Sequence, residues 1–172
     1  RFESCIAEDV IPPAIVPAIE KAVRDSLDAG TLIGFPIVDL KVSLVDGSYR
    51  DEDSTEQAFG VAAAMAFRKA VSEATPVLLE PVMDVEIILP ESYLGEVISD
   101  LTAKRAKIHG MDSRDGARQA VKAQVPLAEM FGYSTDLRSA TQGRANFTMQ
   151  FAAYDRVPDH ISGKIIKRIR GL

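Results

Sequence analysis

The 172-residue chain has few of the residues that most enzymes and metalloproteins use for chemistry. It contains no tryptophan, one cysteine and two histidines, and His109 lies far from His160 along the sequence. The single thiol, Cys5, excludes an internal disulfide and cannot build a thiolate metal cluster by itself. Catalysis by histidine and binding of zinc are therefore not expected, and we predict no metal site.

A phosphate-binding loop for nucleotides is also missing. The sequence has no GxxxxGK[S/T] pattern, in which backbone amides and a lysine cradle the phosphates. Ser54 has no histidine near it in sequence, so a serine nucleophile is not supported either. We therefore predict that this chain is not itself an enzyme and that it holds no cofactor.

The sequence shows neither a signal peptide nor a long apolar run, and it begins at Arg1 without a methionine. We expect a piece of a longer cytoplasmic protein with no membrane partner. The net charge of −5 argues against non-specific binding to nucleic acid, but the charge is uneven. Residues 1–78 hold seven basic and thirteen acidic side chains, residues 79–157 nine and eleven, and residues 158–172 four and one. Any basic contact surface must therefore be local.

The first part of the chain predicts a helix, a strand and a second helix. "PPAIVPAIEKAVRDSLDAG" has an apolar residue every fourth position and ends in Gly30, which predicts an amphipathic helix. "PIVDLKVSLVD" predicts a strand. In "DSTEQ", Asp53 or Ser54 is expected to cap the alanine-rich helix that follows, with Ser54 and Gln57 forming a capping box. The apolar side of the strand consists of Val38, Leu40, Val42 and Leu44.

The second part, from Leu79, predicts the order β-α-β-β-α-β of a ferredoxin-like unit. The expected elements are a strand at 81–89, a helix at 92–104, two short strands around the turn 112–116, a helix within 127–143 and a strand at 144–154. A final basic helix lies outside this unit. The fold class is therefore α+β. The buried side of the sheet is expected to include Met83, Val85, Phe147, Met149, Phe151 and Ala153.

The acidic segment 46–59, "DGSYRDEDSTEQAF", allows three interpretations. A calcium loop starting at Asp46 would need glycine at its sixth position and glutamate at its twelfth, but Asp51 and Gln57 stand there, so we reject a metal. A helix cap with solvated charges explains Asp53 and Ser54. Because this does not explain Tyr49 and Arg50, a projecting tip that contacts a partner remains open beside the ordinary solvated turn.

A cluster of cations follows the first helix of the ferredoxin-like unit. Lys104, Arg105 and Lys107 could bind phosphates. Cations also stabilise helix C-termini, and Arg118 and Lys122 could pair across strands with Asp84 and Glu86. The residue pattern leaves both interpretations open.

Several phrases of the sequence resemble, in the same order, the C-terminal part of bacterial elongation factor G, the translational GTPase that drives translocation. They are "VIP…IVPAIEKAV", "AGTLIGFPIVDLKVSLVDGSYRDEDSTEQAF", "PVLLEPVMDVEI", "GEVISDL", "VPLAEMFGYSTDLRS" and "TQGRANFTMQFAAYD". The resemblance covers essentially the whole chain. It implies that residues 1–78 plus 158–172 form the fourth domain, a ribosomal-protein-like βαβ fold to which the C-terminal helix returns, and that residues 79–157 form the ferredoxin-like fifth domain.

The same resemblance implies partners and cofactors. The fourth domain of the family mimics the anticodon arm of a tRNA and reaches the decoding centre of the ribosome, where tRNA and mRNA lie. The fifth faces large-subunit RNA near the sarcin–ricin loop and the stalk base. GTP and magnesium would belong to a GTPase domain, and the first strands of the fourth domain would also precede Arg1.

Residues 47–54, "GSYRDEDS", resemble the family's tip loop, which usually has histidine where Arg50 stands. We use the name tip loop for them. The resemblance implies that Ser48, Tyr49, Arg50 and Asp51 face RNA, as do Lys104, Arg105 and Lys107. Ala106 departs from the family's usual glycine. These departures leave open a paralogue acting in ribosome recycling or protection, and a different class, a free-standing ferredoxin-like regulatory or interaction module, is the second hypothesis.

Overall fold

The computed structural model describes residues 1–7 and 9–171, which divide into two compact units. The first unit comprises Arg1–Pro76 and the chain from His160 onward, and the second comprises Val77–Asp159. Both junctions lie two residues from the positions expected from the sequence. Among the described residues, no helix combines the length and the apolar character that a membrane span requires.

The first unit packs two helices beside a short sheet. Helix α1 (Val16–Ala29) has Pro17 in its first turn, where the missing amide hydrogen costs no bond, and it ends at Gly30, whose φ is 68°. Helix α2 (Glu56–Glu73) packs against α1. Strands β1 (Phe2–Ser4) and β2 (Val42–Leu44) pair in parallel. Two apolar clusters result, formed by Ile11, Ile15 and Ile19 and by Val23, Phe67 and Val71.

The strand predicted from Val38 onward is shorter than expected. Asp39 has a φ of 57°, which breaks the extended backbone, and Val38 is exposed. Of the four residues predicted to face inward, Leu40 and the strand residues Val42 and Leu44 pack against the apolar clusters, and Ile37 does so as well. The alternation of apolar residues therefore overestimated the strand, since it carries no information about the left-handed residue that interrupts it.

The second unit is a four-stranded antiparallel sheet in the order β4-β5-β3-β6. Its elements are β3 (Leu79–Pro90), α3 (Leu94–Ala103), β4 (Lys107–Arg114), β5 (Arg118–Pro126), α4 (Tyr133–Ala140) and β6 (Asn146–Arg156). Val97 and Leu101 of α3 and Tyr133 and Leu137 of α4 share one core with β3 and β5 residues such as Ile87. Both helices therefore cover the same face, and the ferredoxin-like prediction is confirmed.

The helix expected within 127–143 is broken. A single 3₁₀ turn (Leu127–Glu129) precedes α4, and Gly132 between them has a φ of 80°. A similar 3₁₀ turn (Glu91–Tyr93) precedes α3. Gly132 adopts the left-handed backbone without steric cost, so the chain changes direction there instead of continuing the helix.

The buried layer predicted for β6 is only partly correct. Phe147, Met149 and Phe151 pair with Ile87, Val85 and Met83, so they lie on the helix-covered face of the sheet. However, Met149 is 45% exposed and Phe151 is 55% exposed. The reason is position, because β6 is an edge strand with one neighbour.

A register shift also moves Ala153 to the other face. The pairing of β3 with β6 slips between Val82 and Met83, so that Met83 pairs with Phe151 but Val82 pairs with Ala153. Ala152 is the extra residue of this bulge. One inserted residue reverses the alternation of a strand, and the expected inward position of Ala153 is therefore wrong.

This difference in burial predicts unequal costs for two truncations. Leu101→Ala, in the fully buried core, should lower the free energy of unfolding of the second unit by about 2–5 kcal/mol. Met149→Ala should cost well under half of that, because nearly half of its surface is already in water. Urea unfolding followed by tyrosine fluorescence measures both, since three of the four tyrosines lie in this unit. Equal losses would show that Met149 belongs to the core.

Candidate functional site

The tip loop joins β2 to α2 and starts at a close backbone contact. A Cβ added to Gly47 would lie 2.5 Å from Cδ1 of Ile11, which is itself buried. The Gly47 amide also donates a 2.7 Å hydrogen bond to Oδ1 of Asp46. A side chain at position 47 would therefore require the buried Ile11 side chain to shift, because the loop backbone lies directly on the core of the first unit.

Two reciprocal hydrogen bonds close the tip loop. The Arg50 amide donates to Oγ of Ser54 at 2.8 Å, and the Ser54 amide donates to the carbonyl oxygen of Arg50 at 3.0 Å. This Arg50–Ser54 clamp holds the backbone of Arg50 on both sides. The Arg50 side chain is exposed, and no salt bridge among the described residues involves it.

The residue that caps α2 is Thr55, so the predicted caps Asp53 and Ser54 are wrong. Oγ1 of Thr55 accepts the Ala58 amide at 3.1 Å from an extended backbone (φ −96°, ψ 156°). Ser54 uses its hydroxyl in the clamp, and the backbone oxygen of Asp53 accepts the Thr55 amide. The sequence contained the signal, since Thr55 precedes the acidic Glu56, but three adjacent oxygen-bearing residues could not be ranked without the backbone.

The four tip-loop residues predicted to face RNA are all exposed, and one of them also has an internal partner. The Tyr49 ring stacks on the ring of Phe59 in α2, with centroids 6.4 Å apart and an angle of 18° between the planes. Ser48, Arg50 and Asp51 are exposed to solvent. The tip loop therefore brings a hydroxyl, an aromatic ring, a guanidinium and a carboxylate together on a backbone held at both ends.

Arg105, predicted to contact RNA, is occupied by two carboxylates. Its Nη1 and Nη2 donate to the two oxygens of Glu80 at 2.6 and 3.0 Å, and its Nε donates to Oε1 of Glu129 at 3.0 Å. The side chain is 23% exposed. The hydrogen bond to Glu80 is the main reason that the pKa of Arg105 is raised. Arg105 thus ties the end of α3 to the start of β3 and to the 3₁₀ turn before α4.

Lys104 and Lys107 differ in accessibility. Lys104 lies 3.4 Å from Asp136, 3.7 Å from Asp100 and 5.8 Å from the centre of the Tyr133 ring, and little of it is exposed. Lys107 is 66% exposed and forms a 2.8 Å ion pair that lowers the pKa of Asp155. Of the predicted basic cluster, Lys107 is therefore the side chain that a partner could reach.

Tyr133 packs beneath Lys104 in the core of the second unit. Its hydroxyl is buried and finds no hydrogen-bond partner among the described residues. Desolvation by burial is the main reason that the pKa of Tyr133 is raised well above its ordinary value, with smaller contributions from Asp100 and Asp136. The hydroxyl therefore stays protonated and contributes no charge.

The uncovered face of the sheet in the second unit is polar and internally paired. Lys122 contacts Asp112 at 2.7 Å, Arg114 contacts Glu86 at 3.2 Å, and the Gln124 amide donates to Asp84. The expected pairing of Lys122 with Asp84 or Glu86 is thus replaced by other partners. Sheets that bind single-stranded RNA use aromatic rings for stacking, whereas the β6 residues on this face are Asn146, Thr148, Gln150, Ala153 and Asp155, none of them aromatic.

No group of three or more histidine, cysteine, aspartate or glutamate residues in the described part of the chain is arranged to hold a metal ion.

Comparison with known proteins identifies relatives of both units. The model for elongation factor G, domain IV, matches residues 1–75, and the model for the elongation factor G C-terminus matches residues 77–165. The chain is 58% identical over its whole length to Elongation factor G 2 of Desulfotalea psychrophila, of which it covers 25%. A crystal structure of a protein from Thermus thermophilus matches 99% of the chain at 38% identity with a TM-score of 0.86, and the match covers 26% of that protein. The chain thus spans about a quarter of the length of these relatives.

The cap assignment predicts different effects for neighbouring substitutions. Thr55→Ala should lower the free energy of unfolding of the first unit by about 1 kcal/mol, because the Ala58 amide loses its acceptor. Thr55→Ser keeps the oxygen and is the control. Ser54→Ala should cost less, but it should speed hydrogen exchange at the Arg50 amide. Chemical denaturation and amide exchange test this assignment, and a larger stability loss for Ser54→Ala would contradict it.

The pairing of Arg105 predicts that it stabilises the second unit. Arg105→Ala should lower the free energy of unfolding by about 1.5–3 kcal/mol, because Glu80, only 13% exposed, loses two charged hydrogen bonds. Arg105→Lys should recover part of the loss, since it keeps the charge but not the fork. Lys107→Ala, at an exposed pair, should cost less than about 1 kcal/mol. Equal stability of Arg105→Ala and the unmodified chain would refute this role.

Proposed function

Because this chain belongs to the elongation factor G family, we propose that it forms the ribosome-contacting part of a translational GTPase that promotes translocation of tRNA and mRNA. Residues 1–75 correspond to domain IV of the family and residues 77–165 to its C-terminal domain. The chain itself would supply no catalysis. GTP and magnesium would bind elsewhere in the parent protein, and hydrolysis there would drive the movement that these two domains transmit to RNA.

The observation that carries this proposal is the exposed Arg50 on the clamped tip loop. A guanidinium is a planar cation that donates two parallel hydrogen bonds to a phosphate. The Arg50–Ser54 clamp fixes the backbone before any partner binds, so less conformational entropy is lost on contact. The tip loop is thus suited to RNA in the decoding centre, near tRNA and mRNA.

The other tip residues make this contact selective. Tyr49 keeps its ring orientation by stacking on Phe59, and Ser48 offers a hydroxyl that can donate to a phosphate oxygen. Asp51 and the neighbouring carboxylates repel phosphates that approach from other directions. Because the tip loop carries more acidic than basic residues, its affinity for RNA depends on orientation and not on general attraction.

In the second unit, we place the contact with large-subunit RNA near the sarcin–ricin loop and the stalk base on Lys107. Lys107 would exchange one exposed ion pair for a phosphate. Lys104 and Arg105 are far less exposed than Lys107, and contact by Arg105 would also break its fork to Glu80. Their contribution to RNA binding is therefore to hold the surface that presents Lys107.

Two residues favour a paralogue as a second candidate. Arg50 stands where the family usually has histidine, and Ala106 stands where it usually has glycine. A relative that shares 58% of the sequence is itself a numbered form, Elongation factor G 2. A parent that acts in ribosome recycling or protection would use the same tip loop at the same ribosomal site. A free-standing interaction module is disfavoured because both units match elongation factor G models.

The tip contact is tested by Arg50→Ala in the full-length parent. Single-turnover translocation on bacterial ribosomes should slow roughly ten- to hundredfold, the equivalent of one charged hydrogen bond of about 1.5–3 kcal/mol. The stability of the fold should change by no more than about 0.5 kcal/mol, because Arg50 is exposed. Arg50→Lys should recover part of the rate.

The matched control for this experiment is Arg68→Ala. It removes the same charge from the exposed surface of α2, away from the tip loop, and should leave the rate unchanged. If Arg50→Ala translocates at the rate of the unmodified parent under limiting conditions, the tip contact is refuted.

A further inference from the structure

Helix α5 (Asp159–Arg170) lies in the part of the chain that is net positive. Residues 158–172 hold four basic side chains and one acidic one, whereas both preceding parts of the chain are net acidic. The helix begins at the end of the second unit, and from His160 onward it belongs to the first. The helix therefore has an electrostatic character that neither family-derived contact site shares.

Three of the four Lys and Arg residues of α5 lie on one side of the helix. Lys164, Lys167 and Arg168 are three or four residues apart, and His160 precedes Lys164 by one turn, so together they occupy about 100° of the helix surface. We call these four residues the α5 stripe, and all of them are exposed. The side chains of Ile161, Ile165 and Ile166 are partly buried on the remaining surface. The helix thus uses one side for packing and presents the other to solvent.

The three strong cations of the α5 stripe are not neutralised within the described residues. None of the salt bridges found there involves Lys164, Lys167 or Arg168. In the second unit, Lys104, Lys107 and Lys122 each lie within 3.4 Å of a carboxylate, whereas Arg118, Arg138 and Arg144 are in none of the salt bridges found among the described residues. A phosphate that binds the α5 stripe would therefore displace no internal ion pair.

Stabilisation of the helix end explains only part of this arrangement. Cations in the last turn interact favourably with the helix dipole, which accounts for Lys167, Arg168 and Arg170. Lys164 lies outside that turn, in the middle of the helix. Arg170 also donates to the carbonyl oxygen of Leu32 at 3.1 Å, which is a structural use of its charge. Alignment of Lys164 with two last-turn cations on one exposed side needs a different explanation.

A lipid surface fits the helix less well than RNA does. A helix that lies on a membrane inserts an exposed apolar face between the lipids. Here Ile161, Ile165 and Ile166 are partly buried against the protein, and Ile169 is the isoleucine of α5 that is largely exposed. The accessible surface of α5 is a row of charges, which complements the phosphate backbone of a nucleic acid.

We propose that the α5 stripe binds RNA phosphates and forms a contact of this chain with ribosomal RNA that is separate from the tip loop and from Lys107. The inference rests on the proposed function for the identity of the RNA, but its chemistry requires only a row of phosphates. Lys164, Lys167 and Arg168 supply the charge, and the row follows one strand of the backbone. Because such contacts carry no base information, the stripe adds affinity and salt dependence and not sequence specificity.

The test compares two triple variants of the 172-residue chain. Lys164→Gln/Lys167→Gln/Arg168→Gln removes the charge of the α5 stripe, and glutamine preserves the helix. The matched control, Lys21→Gln/Arg24→Gln/Lys41→Gln, removes three cations of the same unit that already have carboxylate partners. Circular dichroism establishes that both variants are folded. Binding of labelled chain to purified bacterial ribosomes and to free small-subunit RNA is then measured from roughly 50 to 300 mM KCl, where counterion release is visible.

A plot of the logarithm of the association constant against the logarithm of the salt concentration has a negative slope. For the α5 variant this slope should be less steep by about 2–3, since each phosphate contact contributes roughly 0.7–0.9. Its affinity for ribosomes at low salt should fall at least about tenfold, the effect of one lost contact of about 1.4 kcal/mol, and the control should change less than about twofold. An equal loss in both variants would show an effect of net charge alone and would overturn the proposal. Unchanged ribosome binding by the α5 variant would also overturn the proposal. In that case the proposed function would still stand, as long as the unmodified chain binds ribosomes.

Two further outcomes separate the proposals. If the unmodified chain binds free small-subunit RNA through the α5 stripe but does not bind ribosomes, the proposed function fails and the stripe stands. If it binds neither, both fail. Vesicles that contain phosphatidylglycerol provide the last comparison, because vesicle binding that depends on the stripe, with ribosome binding that does not, would identify a lipid site and overturn the proposal.

Discussion

The pairing of cations with carboxylates decides which surfaces of this chain can contact RNA. The chain has 25 acidic and 20 basic side chains, and nine of the basic ones form a salt bridge among the described residues. Arg105 is an example. It was a candidate RNA contact, but its hydrogen bonds to both oxygens of Glu80 and to Glu129 connect three elements of the second unit. The cations without such partners in the described residues, Arg50 and the α5 stripe among them, are the ones that can bind phosphates without breaking an internal ion pair.

The backbone of the tip loop is also fixed by internal contacts. An exposed loop would lose entropy on binding, but Gly47 lies against Ile11 and the Arg50–Ser54 clamp closes the other end. Thr55 then starts α2 with its own hydrogen bond, so the loop and the helix do not compete for one hydroxyl. Ser54 therefore holds the backbone of Arg50, and Thr55 separately starts α2, while the Arg50 side chain remains in water.

Much of the fold follows from local patterns. The β-α-β-β-α-β order, the end of α1 at Gly30 and the alternation of β6 from Phe147 to Phe151 are determined by periodicity and by glycine. The errors share a cause. Asp39, Gly132 and Ala152 each break a regular element by one backbone conformation or one inserted residue, and hydrophobic patterns do not record such events. For the candidate site, the sequence pattern located the tip loop and the basic cluster, but it could not decide whether each cation pairs with an internal carboxylate or stays available to RNA.

The sequence by itself determined the fold class, the family and the position of the tip loop, because long motifs and apolar periodicity are properties of neighbouring residues. Only the tertiary structure decided that Thr55 caps α2, that Ser54 holds Arg50, and that Met149 and Phe151 stay exposed on an edge strand. It also decided that Arg105 is paired with carboxylates, whereas none of the salt bridges among the described residues involves Lys164, Lys167 or Arg168. The physical reason is that pairing and burial depend on residues distant in sequence, such as Arg105 and Glu80, which meet only when the sheet and its helices assemble.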